Sequence, residues 1–436
     1  MGSGLTIKRK YFSYFERSDI FLLLSILLVC IAPKMGSFFV IVAFVINILR
    51  MFKLDIHTFM FDIMCLMPFA NIYKVAPRTP SLVLVLIIIG LCWYTLKTLN
   101  RGKSFAPIVY IVCLFLLSRS GLMLDALFSI ICSLALVCLF ARNIKDDNIV
   151  RIAYGYIASV AVSVLVAYIA LPSNLYIDYI SEEIQVSKFS DAIRFKGLFA
   201  DPNYLGTYLL SSIGMLSQLF ITKKISINYF LIFFVILVFG GMSSFSKSFF
   251  LTIIAISIWV IINLWKSGSR KWAFMFFLAF VIIGFYALQG SFSDVNVIIE
   301  RFTNDSDADD LTTGRSTLWA RYANNIFSNL KVFFCGNGLD APLLVQGAHN
   351  LYLESLYYIG SIGMVLIFLA YTNSFGIIIH DFRKYNFTYK CVAALTLVIL
   401  LVVYWSLQGL FGFATYFQFF VAILMFRLPM LKNNIQ

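Results

Sequence analysis

Charged residues are scarce in this chain, and their scarcity excludes a water-soluble globule. They make up 13% of the 436 residues, whereas soluble domains carry about 25%. Histidine is scarcer still, with three residues, and the eight cysteines form no CxxC pair. These absences argue against a zinc site and against a disulfide framework. We therefore interpret the cysteines as small buried hydrophobic residues.

Hydrophobic residues, by contrast, make up 61% of the chain. Apolar runs recur along its whole length, and each is near the length that crosses a bilayer core. The sequence predicts an all-α, polytopic transmembrane helical bundle of about 12–14 spans. The span at 56–71 is weak because it contains Asp62 and Pro68. We place the spans at about 18–32, 37–51, 56–71, 81–97, 104–118, 121–141, 152–171, 203–222, 228–242, 247–265, 272–289, 351–371, 390–407 and 411–428.

Three regions follow from this pattern. Residues 1–289 are predicted to be transmembrane helices with short loops, apart from a longer loop at about 172–202 on the outer side of the membrane. Residues 290–350 form a large polar loop, and residues 351–436 return to transmembrane helices. Long loops of this kind tend to carry function.

The net charge of +13 has a topological explanation. With the N-terminus inside, 22 of the 34 Lys and Arg fall in segments on the cytoplasmic side. Such a bias in short loops orients membrane proteins. Both termini are therefore predicted to be cytoplasmic, and nucleic-acid binding is not expected.

The remaining Lys and Arg lie on the predicted outer side, where short loops usually avoid them. Snorkelling or helix capping explains any one of them. Several on one face of one bundle fit better with binding a polyanion, and the planar guanidinium of arginine suits phosphate. The outer cations that stand out are Arg119, Arg194, Lys196, Lys247, Arg301, Arg315 and Arg321.

The polar loop contains a predicted amphipathic helix. Leu318, Tyr322, Ile326 and Leu330 recur every four residues, and Trp319 and Phe327 widen the stripe. Arg315 falls in the first turn, where a helix N-terminus itself attracts anions.

His349 stands at the mouth of the next span. One interpretation is an interfacial capping residue, and the other is a general base, because the ordinary pKa of histidine suits proton abstraction at neutral pH. The acidic run Asp305–Asp310 fails the EF-hand pattern, since Asp310 replaces the glycine and Ser316 the final glutamate. We therefore expect no metal and no cofactor.

These motifs together resemble a known family. In chain order they are RFKG with DPN (194–203), SFSKS, GRSTLW (314–319), GNGL and AHNLYLE (348–354). The pattern resembles the O-antigen ligase and polymerase superfamily, and within it the Wzy-type polymerases of surface polysaccharides. The resemblance covers roughly residues 190–370.

The resemblance implies a metal-independent, inverting glycosyltransferase with a GT-C-like fold in the bacterial inner membrane and a periplasmic active site. It would transfer a growing glycan from undecaprenyl diphosphate to the non-reducing-end sugar of an incoming undecaprenyl-diphosphate-linked repeat unit. His349 matches the histidine that activates the acceptor hydroxyl, and Arg194 and Arg315 match arginines that hold the diphosphate. Lys247 departs from the arginine common in the ligases. Asn203, Asn350 and Tyr352 are assigned supporting roles.

Two alternatives stay open at this point. One is an O-antigen ligase that transfers glycan to lipid A-core, because donor and chemistry are shared. The other is a transporter or flippase of lipid-linked sugars, although transporters usually show internal repeats and charges at the midplane. The expected partners are the lipid-linked donor and acceptor and the membrane lipid, and the sequence leaves open whether a chain-length regulator protein docks on the chain.

Overall fold

The computed structural model describes residues 16–98 except 78, 146–180, 194–278 except 245 and 267–269, and 315–382 except 339–340, 343 and 345–346, together with residue 421. Within these ranges the chain is helical and has no strand, which confirms the all-α class. The predicted spans at 104–118, 121–141, 390–407 and 411–428, and most of that at 272–289, lie outside the described residues.

Most of the described helices follow the predicted apolar runs, although the helix predicted at 152–171 begins at Asp146 and the helix predicted at 351–371 continues to Phe382. The described helices are α1 (Ile20–Met35), α2 (Phe38–Lys53), α3 (Ile56–Leu66), α4 (Leu82–Thr98), α5 (Asp146–Ala170), α6 (Ile177–Ile180), α7 (Pro202–Ile221), α8 (Ile227–Met242), α9 (Lys247–Lys266), α10 (270–278), α11 (Arg315–Phe327), α12 (Leu330–Cys335) and α13 (Leu351–Phe382).

Short polar side chains fix where several helices begin. The Asp55 carboxylate accepts a hydrogen bond from the backbone N–H of Thr58 at 2.9 Å and starts α3. The Asp201 carboxylate accepts from the backbone N–H of Asn203 at 2.6 Å, and Pro202 follows it as the first residue of α7. Both are N-caps, which satisfy backbone donors that have no partner inside the helix.

The core is built around α3, α5 and α7. Every residue of α3 from Thr58 to Leu66 is buried, and so is every residue of α7 from Leu205 to Leu219. α5 packs against both of these helices, and α7 also packs against α8 and α9. The weakest predicted span is therefore a central helix of the structure.

The outer helices expose apolar faces. Ile20 is 64% exposed on α1, Phe38 is 68% exposed on α2, and Ile169 is 80% exposed on α5. Two described helical stretches, Asn148–Ser173 and Pro202–Ile221, have the length and apolarity of a membrane span, and α1, α3, α4, α8, α9 and α13 provide shorter apolar helices or segments. Exposed apolar area of this extent is unusual for a monomeric soluble protein.

Asp62 has a partner inside the core. Its carboxylate receives two hydrogen bonds from Arg50, from Nε at 2.9 Å and from Nη2 at 2.8 Å. Arg50 also contacts Asp19 at 3.2 Å, and Asp19 in turn accepts from Arg151 at 2.8 Å. We call Asp19, Arg50, Asp62 and Arg151 the ion-pair network. It joins α2, α3 and α5 to the turn before α1, and it explains how Asp62 lies within an apolar run.

Two arginines of the predicted cytoplasmic surplus thus belong to buried ion pairs. Arg50 is 6% exposed and Arg151 is 8% exposed, and both face the carboxylate of Asp19. Their charges are compensated within the protein. The orienting bias of the short loops depends on the other cytoplasmic cations.

The turn after α12 is attached to α13 beside a kink in that helix. Gly360 has φ 65°, a left-handed conformation that glycine adopts without a side-chain clash. Near this kink, the carbonyls of Tyr357 and Tyr358 accept hydrogen bonds from the backbone N–H groups of Asn337 (2.8 Å) and Gly338 (3.0 Å). The turn after α12 is therefore bonded directly to α13.

Candidate functional site

Arg194 and Lys196 lie in an extended segment that precedes α7. The backbone N–H of Phe195 donates to the Ser243 carbonyl at 2.9 Å, and Arg194 Nε donates to the Ser244 carbonyl at 3.2 Å. The segment is thus held against the turn between α8 and α9. The bond through Nε fixes the direction of the Arg194 guanidinium.

The same turn is tied to the start of α7. Ser246 Oγ donates to Asn203 Oδ1 at 3.1 Å, so the predicted supporting residue Asn203 joins the first turn of α7 to the segment before α9. Lys247 is the first residue of α9, and its side chain lies outside the described residues.

α11 confirms the predicted amphipathic helix, and most residues of its predicted apolar face are buried. Leu318, Tyr322 and Ile326 are buried as expected. Leu330 and Phe327 are not, since they are 74% and 62% exposed. The reason is that α11 ends at Phe327 and Asn329 caps a new helix, which takes Leu330 off the periodic face.

Trp319 fixes α11 against the loop that carries His349. Its indole Nε1–H donates to the Ala348 carbonyl at 2.8 Å. Asn350 follows as the N-cap of α13, and its side-chain oxygen accepts from the backbone N–H groups of Tyr352 (3.0 Å) and Leu353 (3.3 Å). His349 is therefore held between a tryptophan contact and a helix cap.

The backbone of His349 has φ 49°. A positive φ is uncommon outside glycine, although His, Asn and Asp adopt it more often than other residues. Such conformations persist where the surrounding contacts determine them, and they are frequent at functional sites. Here the determining contacts are those of Ala348 and Asn350.

His349, Arg315 and Asp201 come together from three distant parts of the sequence. Burial and the nearby Arg315 cation together lower the pKa of His349 to about 4, although the Asp201 carboxylate opposes the change. Burial also lowers the pKa of Arg315, and Asp201 again opposes the change. Because desolvation and a like charge both disfavour the imidazolium, His349 is neutral at physiological pH.

This arrangement combines a proton acceptor with a fixed cation. A neutral imidazole can take a proton from a hydroxyl group, whereas an imidazolium cannot. Arginine stays charged and offers a planar donor set that matches phosphate. The cluster of His349, Arg315 and Asp201, which we call the histidine cluster, can therefore bind an anionic group beside a hydroxyl that loses its proton.

A cavity of about 240 Å³ lies at the segment before α7. Arg194, Phe195, Lys196 and Gly197 form one wall. The end of α5 and the residues up to α6 form the other, from Ala167 to Ile180, and they are almost all apolar. Two predicted anion-binding residues thus border an apolar space.

The other predicted site residues that the structure describes are not part of the histidine cluster or of the cavity lining. Arg321 is exposed on α11, roughly 120° around the helix from Arg315 at 3.6 residues per turn. Tyr352 is at the surface end of α13 and contacts Asn350 through its backbone. Arg119 and Arg301 lie outside the described residues.

Sequence reasoning missed two carboxylates near His349. The sequence analysis includes Asp201 only as part of the DPN motif and assigns it no role, although an Asp before Pro is a common signal for the start of a helix. Glu354 is 1% exposed, and a methyl group added at Gly347 would lie 3.1 Å from its Oε1. A carboxylate one turn into an apolar helix was the signal that could have identified it.

Within the part of the chain that the structure describes, no group of three or more His, Cys, Asp or Glu side chains is arranged to hold a metal ion. Comparison with family models, curated proteins and solved structures finds no match to this chain.

Proposed function

We propose that the protein is a surface-polysaccharide polymerase of the O-antigen type, a multi-pass enzyme of the bacterial inner membrane. It transfers the growing glycan from undecaprenyl diphosphate to the non-reducing-end sugar of an incoming lipid-linked repeat unit. The observation that supports this most is the histidine cluster, in which a neutral histidine and a half-buried arginine from remote segments interact.

A membrane setting is supported by the outer surfaces of the helices. The exposed residues Ile20, Phe38 and Ile169 belong to helices whose other faces pack into the core. Apolar surface on the outside of an already packed helix is stable against lipid. The bonded backbone of these helices also meets the requirement that no polar group be left unsatisfied in hydrocarbon.

The histidine cluster lies at the end where α5 and α8 finish and α7, α9 and α13 begin. The ion-pair network lies toward the other end, near the start of α1 and α5 and the end of α2. The predicted topology places the first of these ends on the periplasmic side. Substrates carried by lipid would reach the histidine cluster from that face.

The chemistry follows from the charges. The acceptor hydroxyl oxygen attacks the anomeric carbon of the donor sugar while the bond from that carbon to the diphosphate oxygen breaks. His349 accepts the hydroxyl proton, and Arg315 stabilises the negative charge that develops on the leaving diphosphate. A single displacement of this kind inverts the anomeric configuration.

Anion binding would also adjust the base. The Arg315 cation is one reason why the pKa of His349 is low. A diphosphate on Arg315 offsets that cation, so the pKa of His349 rises toward its ordinary value when the donor is bound. The histidine is then a stronger base in the presence of its substrate than in its absence.

The test is an assay with the purified full chain and lipid-linked repeat unit as sole substrate. We expect a ladder of longer lipid-linked glycans, insensitive to EDTA and lost in His349→Asn and Arg315→Gln. Asn is chosen because it tolerates the positive φ of residue 349. Lys331→Gln, an exposed change in the same loop, should keep the ladder.

Other outcomes point to other functions. Transfer that appears only when lipid A-core is added would identify a ligase. No transfer under either condition, together with movement of lipid-linked sugar across a vesicle membrane that His349→Asn leaves unchanged, would refute the enzyme and indicate a flippase.

A further inference from the structure

Glu354 is a buried carboxyl group to which the proposed reaction gives no part. It lies in the first turn of α13, where its backbone N–H donates to the Asn350 carbonyl at 3.0 Å, and it is 1% exposed. An ionisable group buried in an apolar helix is costly unless it makes compensating contacts, and such residues usually have a function. The contacts of Glu354 therefore indicate what it does.

Gly347 lies against the Glu354 carboxyl group. A methyl group added at Gly347 would lie 3.1 Å from Glu354 Oε1, which is closer than an ordinary van der Waals contact. Glycine is thus the residue that lets the loop lie this close to the carboxyl group. His349 follows two residues later, and the Ala348 carbonyl between them accepts from the Trp319 indole. The loop that carries His349 is therefore held at successive residues.

Glu354 also lies near tyrosines of the three helices that begin at the histidine cluster. Its charge acts on the hydroxyl groups of Tyr204 in α7, Tyr322 in α11 and Tyr358 in α13. α11 packs against α13, and the rings of Tyr322 and Tyr357 meet there with centroids 5.1 Å apart. One carboxyl group is thus within reach of all three helices.

The starts of these helices are the residues of the cluster itself. Asp201 is the N-cap of α7, Arg315 is the first residue of α11, and His349 precedes α13 by two residues. The tyrosines of α7 and α11 lie about one and two turns further along, at 3.6 residues per turn. Glu354 therefore lies further into the helices than the cluster, at the base of the loop that carries His349.

We propose that Glu354 is a positioning residue, which holds the loop at Gly347 and so places His349 in the histidine cluster. It touches no substrate and takes no proton in the reaction. The inference deepens the proposed function and rests on it in one respect, which is that His349 is the base. A base must lie within hydrogen-bond distance of the hydroxyl group that it deprotonates, and a misplacement of about 1 Å can cost about 10²-fold in rate.

The first test measures kcat and KM of the purified full chain with lipid-linked repeat unit. Glu354→Ala should lower kcat about 10- to 100-fold because the loop loses its support, and KM should change less than about threefold. Glu354→Gln keeps the length and a side-chain oxygen, so its kcat should return to within about threefold of the unmodified value. A residue that only stabilises the fold would instead lower the unfolding temperature and leave the kcat of the folded fraction unchanged.

Ser355→Ala is the matched control. Ser355 is the next residue of α13, it is also buried, and its hydroxyl group donates to the Leu351 carbonyl of the same helix. The change removes a buried polar group whose hydrogen bond lies within α13. We therefore expect kcat to stay unchanged.

Gly347→Ala tests the same contact from the other partner. Gly347 is outside the left-handed region, so alanine fits its backbone, and the added methyl group meets Oε1 at 3.1 Å. The variant should lower kcat about threefold or more, as expected for residues in contact. In Glu354→Ala the methyl group no longer meets the carboxyl group, so the double variant should have the kcat of Glu354→Ala alone. Losses that multiply instead would show that the two residues act separately, and they would overturn the proposal.

Chemical labelling of His349 gives a readout that does not depend on turnover. Diethyl pyrocarbonate reacts with the neutral imidazole, and mass spectrometry separates the product at His349 from that at His57. We expect Glu354→Ala to raise the rate at His349, because the loop opens, and to leave the rate at His57 unchanged. Glu354→Gln and Ser355→Ala should leave both rates unchanged.

Unchanged kcat and unchanged labelling in Glu354→Ala would overturn the proposal. So would a Glu354→Gln variant as slow as Glu354→Ala, because it would assign the effect to charge. The two proposals fail separately. Faster His349 labelling in Glu354→Ala, with no glycan ladder from the unmodified protein, would keep the positioning role and refute the polymerase. A ladder that needs His349 but not Glu354 would reject this inference alone.

Discussion

The molecule contains two groups of buried or half-buried charges, and they differ in how the charges are compensated. In the ion-pair network, two arginines and two aspartates contact one another at 2.8–3.2 Å. In the histidine cluster, Arg315 and His349 both have lowered pKa values, and Asp201 opposes the change in each. The network satisfies its own charges, whereas the cluster holds positive charge in a place that disfavours it.

We interpret the ion-pair network as structural and the histidine cluster as the candidate functional site. A buried ion pair with good geometry contributes to a defined fold but offers little to a ligand. The Arg315 cation disfavours the charged form of His349, and an anion bound to Arg315 would offset that effect. Perturbed pKa values of this kind are typical of functional sites. The comparison predicts that changes in the two groups affect different properties of the protein.

The largest expected effect is on activity at His349. His349→Asn should reduce polymerisation by about 10²–10⁴-fold, the usual contribution of a general base. The thermal unfolding temperature should stay near that of the unmodified protein. His57→Asn, a histidine change in α3, serves as the control and should leave the rate unchanged. A variant at 349 that unfolds early instead would mean that the histidine is mainly structural.

Arg50→Ala should show the opposite pattern. It leaves Asp62 buried without its bidentate partner, and breaking a buried pair costs about 3–5 kcal/mol. We expect lower yield and a lower unfolding temperature in detergent. The double variant Arg50→Met with Asp62→Leu removes both charges and should recover part of the lost stability. If Arg50→Ala unfolds like the unmodified protein, the network is not a structural element.

Arg315→Gln should shift the titration of His349. The pKa of His349 is about 4, below the ordinary 6.5, and Arg315 contributes to this lowering. Loss of the cation raises the pKa, but burial keeps it below 6.5. The reaction of His349 with diethyl pyrocarbonate, mapped by mass spectrometry, requires the neutral ring, so its acid limb should move to higher pH in the variant. Lys331→Gln should leave the limb in place.

The same shift predicts how stability depends on pH. The folded state holds fewer protons on His349 than the unfolded state between about pH 4 and 6.5. Stability from this residue is therefore present above pH 6.5 and is lost as the pH falls toward 4. In Arg315→Gln the pKa of folded His349 is higher, so the pH range over which this stability is lost begins above pH 4 and is narrower. Thermal unfolding at a series of pH values would detect the change.

The smallest effect is expected at Arg321. Arg321 is exposed on a different side of α11 from Arg315, and an exposed charge interacts weakly through solvent. Arg321→Gln should change the polymerisation rate less than Arg315→Gln does. Equal losses in the two variants would mean that the substrate spans the whole outer surface of α11.

Helix positions in this chain could be predicted from sequence because apolar runs report them directly. α7, α8 and α9 lie within a few residues of the predicted runs. Periodicity also identified the buried face of α11, and it failed at Leu330 because it does not register the helix break at Asn329. The ion pair of Asp62 could not be predicted from the sequence, because its partner Arg50 belongs to another helix.

Only those residues of the candidate site whose side chains suit acid–base chemistry or phosphate binding could be predicted from the sequence. His349 and Arg315 were identified because histidine and arginine suit proton transfer and phosphate. Asp201 and Glu354 were missed because their importance depends on which helices pack together. The cavity at Ala167 could not be predicted either, because residues 167–180 and residues 194–197 form it together and the sequence does not show that these two segments are in contact.

The separation of the two charged groups along the chain gives the protein an order of assembly. All four residues of the ion-pair network have been synthesised once α5 is complete at Ala170. The histidine cluster requires Asp201, Arg315 and His349, about 180 residues later. At translation rates of about 5–20 residues per second, that interval is roughly 10–40 seconds. A nascent chain can therefore form the ion-pair network well before all the residues of the histidine cluster have been synthesised.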